Sequence, residues 1–305
     1  AKSKGGSIYA KQILYFVTKK CFFIKSRSLV GAVIALYLIN NIIVIQCDYI
    51  DNTDIKTQCT LSGHQSHVIM ILNCSFIRNQ QSGVEIDVAR QVKIRNCIFK
   101  NNTSNDGGGL SVRHVTMFVI ADSYFNNNNV IMDGGAFTIH KTVNILMRNC
   151  TLNHNQANWR GGAVKSYKAI NAIIVISTFL KNLALEFGGG IDFDNTENIT
   201  LFKCIFMENR GKVGAGVSAQ HLKTFNLFSS IFKQNSATHK GGAMSLVVLE
   251  YQAEHYNNLK LGNVMISCTY FIYNTAEYKA VCIFARNLHL LSLICSVIKV
   301  TEISY

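Results

Sequence analysis

The chain is 305 residues long, 49% apolar and only 15% charged, and it contains no proline. Its 30 Lys and Arg against 17 Asp and Glu give a net charge of +13, which suits a diffusely basic surface or attraction to an acidic polysaccharide, an anionic surface or an acidic partner. No segment interleaves Lys and Arg with aromatics, which argues against nucleic acid, and the ten cysteines include no C-x-x-C pair, which excludes zinc-finger and thioredoxin-type chemistry.

Taken in order, the chain opens at Ala1 without a charged segment leading into an apolar run, so no signal peptide is visible, and a glycine step stands already at Gly5-Gly6. Leu29 to Ile45 is long and apolar, but it is short for a membrane span and holds Asn40 and Asn41 near its end. It also keeps the register of the later units: Gly31-Ala32-Val33 is a glycine step, and Tyr49-x-x-Asn52 comes on schedule. No membrane span is therefore expected.

From there one unit recurs. A Gly-Gly-small-apolar step is followed by an alternating apolar stretch, a Cys or Ser, an aromatic residue, and an Asn three positions later. Gly134-Gly135-Ala136 through Arg160, Gly161-Gly162-Ala163 with Phe179-x-x-Asn182, and Gly188-Gly189-Gly190 with Phe206-x-x-Asn209 show it most plainly. The aromatic or apolar position falls at Phe23, Tyr49, Phe76, Phe99, Phe125, Leu152, Phe179, Phe206, Phe232 and Phe271, in steps of 26, 27, 23, 26, 27, 27, 27, 26 and 39 residues. A degenerate eleventh unit closes the chain near Leu293. A fixed period of this length means a solenoid.

Inside a unit the period is two, with Phe137 and Ile139 on one side and Thr138 and His140 on the other. Such segments, rich in Ile, Val and Phe and divided by Gly and Asn, read as short strands. A coil of short strands that returns to its start gives parallel pairing without long crossovers. The expected fold is all-β: one parallel β-helix of about eleven coils over residues 1–305, part of a longer solenoid, roughly 50 Å long at ~4.8 Å per coil. The Asn column is expected at left-handed turns, with amides bonded from coil to coil. Eight cysteines (Cys21, Cys47, Cys74, Cys97, Cys150, Cys204, Cys268 and Cys295) are assigned to one inward column shared with Ser123, Ser177 and Ser230. They read as small buried thiols, or as disulfides between coils where Cys21, Cys47, Cys74 and Cys97 stack.

The alternation of Gly-Gly-[Ala/Gly]-[apolar] with Phe-x-x-Asn over ten units resembles the repeats of the chlamydial polymorphic outer membrane proteins. It also resembles right-handed β-helix repeats in secreted protist proteins, within the pectin-lyase-like superfamily. That resemblance implies a right-handed β-helix outside the cell or on its surface, used as an adhesin, coat or spacer. No autotransporter barrel is visible, which leaves the export route open. A leucine-rich repeat has an overlapping period, but its L-x-x-L-x-L signature is missing.

The same superfamily hosts polysaccharide lyases and hydrolases, so an enzyme is the rival reading. Glycosidic cleavage needs paired carboxylates or a metal-bound carboxylate cluster. Asn52-Thr53-Asp54 matches a first polygalacturonase motif whose companions are absent, whereas Asp192 and Asp194 alternate on one strand beside Lys165 and Tyr167. They are a weak catalytic pair or a solvated strand face. The outward column Asp87, Arg113, His140, Tyr167 and Asp194, with Glu85, Ser111, Thr138, Lys165 and Asp192 two residues earlier, suits a sugar chain lying along the helix or a plain wet surface. Scattered histidines give no metal site, and no cofactor is expected. Sequons at Asn73, Asn101, Asn102, Asn149 and Asn198 carry weight only in a secreted eukaryotic protein. The long step after Phe232 places an insertion at residues 250–262, a recognition loop or an inert excursion. Finally, the apolar runs Leu29 to Ile45 and Leu288 to Val300 lack polar caps, and Ile34 and Leu36 are assigned outward. Both ends are therefore expected to stack on further coils or other subunits, with the flank near Ile34 and Leu36 covered.

Overall fold

A computed structural model describes residues 7–28, 33–54, 59–247, 262–294 and 296–299. The coil that begins at Phe137 shows the plan. Strand Phe137–His140 forms a first facet, Asn144–Arg148 a second, Thr151–Asn153 a third, and the two-residue Gln156–Ala157 a fourth. Each strand pairs in parallel with its counterpart 27 residues on, so Phe137 lies beside Val164, Asn144 beside Asn171 and Leu152 beside Phe179. First and second facets share one 19-stranded sheet, the third is an 11-stranded sheet, and the fourth forms sheets of seven and two strands. Eleven strands in the third facet mean eleven coils, and among the described residues no helix occurs. The 250–262 insertion lies outside the described residues, except for Gly262, which opens a strand.

The corners have a common cause. The residue after each strand turns through left-handed backbone: Lys141 (φ 48°), Asn149 (φ 50°) and His154 (φ 52°) in one coil, then Gly161 (φ 65°) at the last corner. The Asn column stands one residue past such a corner, so it does not itself supply the left-handed turn that its residue type suggested. Its role is the ladder. Asn155 Nδ2 donates to Asn182 Oδ1 (3.0 Å) and to the Phe125 carbonyl (3.1 Å), while its own Oδ1 accepts from the Asn128 side chain (2.9 Å) and backbone N–H (3.1 Å). The pattern repeats from Asn52 to Asn274, all buried. Asn52 of the polygalacturonase-like triplet is spent in this ladder.

Inside, the aromatic column stacks ring on ring. Tyr49–Phe76, Phe99–Phe125 and Phe179–Phe206 have centroids 4.6, 4.5 and 4.6 Å apart, with planes within 5° of parallel. Leu152 interrupts the column, and Phe137 leans toward the gap, its centroid 5.1 Å from Phe125 at a 52° tilt. A large residue on the first facet thus compensates for a small one on the third.

The Cys/Ser column has an equally local reason. Each side chain donates to the carbonyl two residues back, Cys150 to Arg148 (3.3 Å) and Ser177 to Val175 (3.0 Å), and Ser177 Oγ accepts the Cys150 backbone N–H from the preceding coil (3.2 Å). A small side chain with one hydrogen to donate is what the corner requires. The placement of Cys268 in this column is corrected: Thr269 fills it, fully buried and bonded to the Ser267 carbonyl (3.0 Å), and Cys268 is the exposed corner residue. Ser296 takes the next position, and Cys295 lies outside the described residues. Cys21, Cys47, Cys74 and Cys97 are thiols rather than disulfides.

Ile34 and Leu36 are corrected too. Both are fully buried, and the outward residues of that strand are Ala35 and Tyr37, paired with Ser62 and His64. A one-residue slip in a period-two pattern exchanges the two faces. At the other end, Leu291 and Leu293 sit beside the buried Val264 and Ile266 but are 43% and 48% exposed, because no further described coil covers them.

Candidate functional site

The first facet carries the polar columns in the expected register. Asp87, Arg113, His140, Tyr167, Asp194 and Gln220 are successive cross-strand neighbours, all half-buried. The column two residues earlier runs Glu85, Ser111, Thr138, Lys165, Asp192 and Ser218. It points outward in register, yet Lys165 is 3% exposed and Asp192 0%. The glycine step explains that burial. Gly161 holds φ at 65°, and a Cβ on Gly162 would meet the Gly189 carbonyl of the next coil at 2.2 Å, so only glycine allows so tight a corner. The chain folds back there, and the residue just before each glycine pair overhangs the first facet, with Arg160 reaching Asp194.

A charge network fills this concave edge. Lys165 Nζ lies 2.5 Å from Asp192 Oδ2 and 3.6 Å from Asp194 Oδ2. Arg160 Nη1 donates to Asp194 Oδ2 (3.1 Å), His221 Nδ1 is 3.2 Å from Asp194 Oδ1, and the Arg160 guanidinium rests 4.6 Å over the Phe187 ring. Earlier coils repeat the theme with Arg113 paired to Glu85 and with His114 2.9 Å from Asp87. Burial pushes Asp194 up, but the His221 hydrogen bond and the Lys165 and Arg160 charges outweigh it and hold the carboxyl below the usual range. Asp133, just before Gly134, is instead raised to about 6 by burial. Burial also lowers His140. Three buried polar atoms here, Asp192 Oδ1, Arg160 Nε and Ser218 Oγ, have no protein partner, which leaves hydrogen-bonding capacity for a buried water.

Asp192 and Asp194 are therefore together, as the alternation required, but each is clamped by cations. Sequence reasoning missed Asp133, Arg160 and His221. For two of them the sequence marks the position but not its role: Asp133 and Arg160, like Asp106 and Lys240, each immediately precede a glycine step, and only the folded corner shows that this position overhangs the first facet. Among the described residues no group of three or more His, Cys, Asp or Glu is placed to hold a metal ion, and no helix is long and apolar enough to cross a membrane. Of the sequons, Asn73 and Asn149 are exposed corner residues and Asn101 is half-buried; Asn198 accepts from Thr224 (2.9 Å) and donates to Asn171 (3.0 Å). Asn102 is fully buried in the amide ladder, with its Nδ2 bonded to the Phe76 carbonyl (2.9 Å), and so leaves the set of glycan acceptors.

Residues 1–113 and 103–259 match the family described as the right handed beta helix region. The chain belongs to that family. No curated protein and no solved structure matches it.

Proposed function

We propose that this β-helix is a non-enzymatic structural and adhesive module of an extracellular or cell-surface protein, whose first facet holds a polysaccharide chain along the helix axis. One observation carries the reading: the facet's central carboxylates are ion-paired within the facet, Asp192 wholly enclosed against Lys165 and Asp194 gripped by Arg160, Lys165 and His221. An enclosed carboxylate cannot reach a glycosidic oxygen. Around it, the ordered run of Arg113, His140, Tyr167 and Gln220 presents donors, acceptors and an aromatic at each coil. The half-buried Tyr167 ring, with the His140 ring edge-on to it at 5.7 Å, offers one aromatic face to the apolar side of a sugar. The net charge of +13 draws an acidic polysaccharide to the molecule as a whole, while the first facet, internally neutralised, recognises it by hydrogen bonds. The likeness to chlamydial polymorphic outer membrane proteins and protist surface proteins supports the location. Further coils or other subunits cover the open last coil at Leu291 and Leu293, giving an extended filament or coat.

The second reading, a lyase or hydrolase of the pectin-lyase-like superfamily, has one observation in its favour: Asp133, raised to about 6, stands in the same network as the ionised Asp194. Two carboxyls with separated proton affinities are the usual acid and base of glycoside hydrolysis. A screen of acidic polysaccharides for new reducing or unsaturated ends tests both. Binding without cleavage is expected; turnover that disappears in Asp133→Asn or Asp194→Asn establishes the enzyme.

A further inference from the structure

The second facet breaks the rule that the first obeys. A sheet with one face on the core and one in water alternates apolar and polar residues, whereas strands apolar on both faces are those covered on both. Ile145 and Met147 point into the core, yet Leu146 between them is also apolar. The neighbours of Leu146 in the outward column repeat the exception: Val17, Ile43, Met70, Val119, Ile173 and Met265 share its position, with Lys93, Thr200, Asn226 and Ser292 in the remaining coils. The column two residues on adds Ile45, Leu72, Val175, Phe202, Phe228 and Ile294, with the polar Lys19, Arg95, Arg148 and Ser267 set among them at the strip's outer edge. Ile173 is 44% exposed and Met265 39%. The two columns run about 7 Å apart at about 4.8 Å per coil, with unbroken apolar stretches at Val17–Ile43–Met70 and at Val119–Leu146–Ile173, exposed apolar surface of the kind that marks an interaction site.

Charge around the strip identifies the occupant. Its two corners and outer columns carry exposed cations, among them Arg90, Lys141 and Lys168 along one edge and Lys20, Arg148 and Lys203 along the other. Among the described residues the only acids there are Asp122 and Glu197, and each is already ion-paired, with Arg95 (2.9 Å) and with Lys223. An apolar face rimmed by unbalanced cations fits a surface that is apolar within and anionic at its margin. Two copies of this face would set cation against cation. Near the first coils the corner carries a shallow, open depression of about 670 Å³ lined by the exposed Leu14, Leu38 and Val88, with Arg90 beside His67 (3.4 Å).

We infer that the second facet is a docking surface for an anionic lipid bilayer, on which the β-helix lies flat and leaves the first facet free. Apolar side chains enter the boundary between headgroups and acyl chains, and the flanking Lys and Arg meet the anionic headgroups. The inference goes beyond the polysaccharide reading and does not rest on it, since the two use different facets; loss of one leaves the other standing.

Co-sedimentation of glycan-free protein with phosphatidylserine–phosphatidylcholine vesicles and with pure phosphatidylcholine vesicles tests it. Binding to the first and not the second is expected, weakening as salt rises. Leu146→Asp with Ile173→Asp is expected to abolish it, and Lys141→Glu with Lys168→Glu to weaken it by about thirtyfold or more. Lys100→Glu with Lys233→Glu, which removes the same charge from the third facet, is expected to change it little. If the Asp variant fails to fold by circular dichroism, Met70→Gln with Ile173→Gln gives the same answer. No binding to anionic vesicles, equal binding to neutral ones, or full binding by the second-facet variants overturns the inference. So does a lipid-free dimer in sedimentation velocity that Leu146→Asp with Ile173→Asp dissolves, because it assigns the facet to a second copy.

Discussion

At the scale of single residues, burial decides what each polar group can do. Tyr49 is the one tyrosine in the aromatic column; its hydroxyl is buried without a hydrogen-bond partner, as is the Thr18 hydroxyl. Burial accordingly pushes the Tyr49 phenol well above its ordinary range, although Thr18 lies close enough to pull it slightly back. Replacing both by apolar groups of the same shape removes two desolvation costs. Tyr49→Phe with Thr18→Val is expected to raise stability by roughly 1–2 kcal/mol, read as a higher midpoint in thermal unfolding; a lower midpoint contradicts it. Asp133 makes a second case. Its folded pKa of about 6 lies above the unfolded value near 4, so the folded state holds the proton more tightly. Stability from this group is full below pH ~4, falls as pH rises toward about 6, and stays lower beyond. The Asp133→Asn variant is expected to gain on the parent by about 1–2 kcal/mol between pH 4 and 7, a figure discounted for partial exposure. A stability difference that stays flat across that window contradicts it.

At the scale of the element, the columns are the units of stability. The Asn155 side chain makes four hydrogen bonds with buried neighbours in the coils before and after it. Asn155→Leu leaves those partners unmet and is expected to cost about 3–5 kcal/mol at roughly 1 kcal/mol or more each. The Lys165–Asp192 pair behaves differently, since cutting one partner strands a buried charge. Lys165→Met is expected to cost about 3–5 kcal/mol, and adding Asp192→Leu to recover most of it. Denaturant unfolding of the single and double variants measures this; a double variant no better than the single contradicts it. The columns also show what the sequence reveals of such an element. Phe-x-x-Asn and the glycine pair mark fixed corners of each coil, so the coil steps and the first-facet register, including Lys165 beside Asp192, were legible from spacing. Ile34, Leu36 and Cys268 were misassigned because each was counted from a degenerate corner, and one residue of slip exchanges inside for outside. Asp133 and Arg160 went unseen because their function depends on the overhang of a glycine corner, which no periodicity encodes. The apolar outer face of the second facet was masked by its apolar inner face.

At the scale of the whole molecule, the solenoid sets facets of different chemistry side by side along one axis. The first is polar and internally neutralised; the second is apolar with a basic rim. Such a body grows by adding coils, each contacting only its neighbours, and the exposed Leu291, Leu293 and Ile298 offer the next coil a ready core. A ligand that follows the axis should bind in proportion to the coils it spans. The most direct measurement is therefore calorimetric titration of the first facet with acidic oligosaccharides of increasing length, with product analysis on the same samples. The account predicts that affinity rises with length, falls in Arg113→Ala and Tyr167→Ala, and is accompanied by intact oligosaccharide throughout. Shortened products that vanish in Asp194→Asn would contradict it.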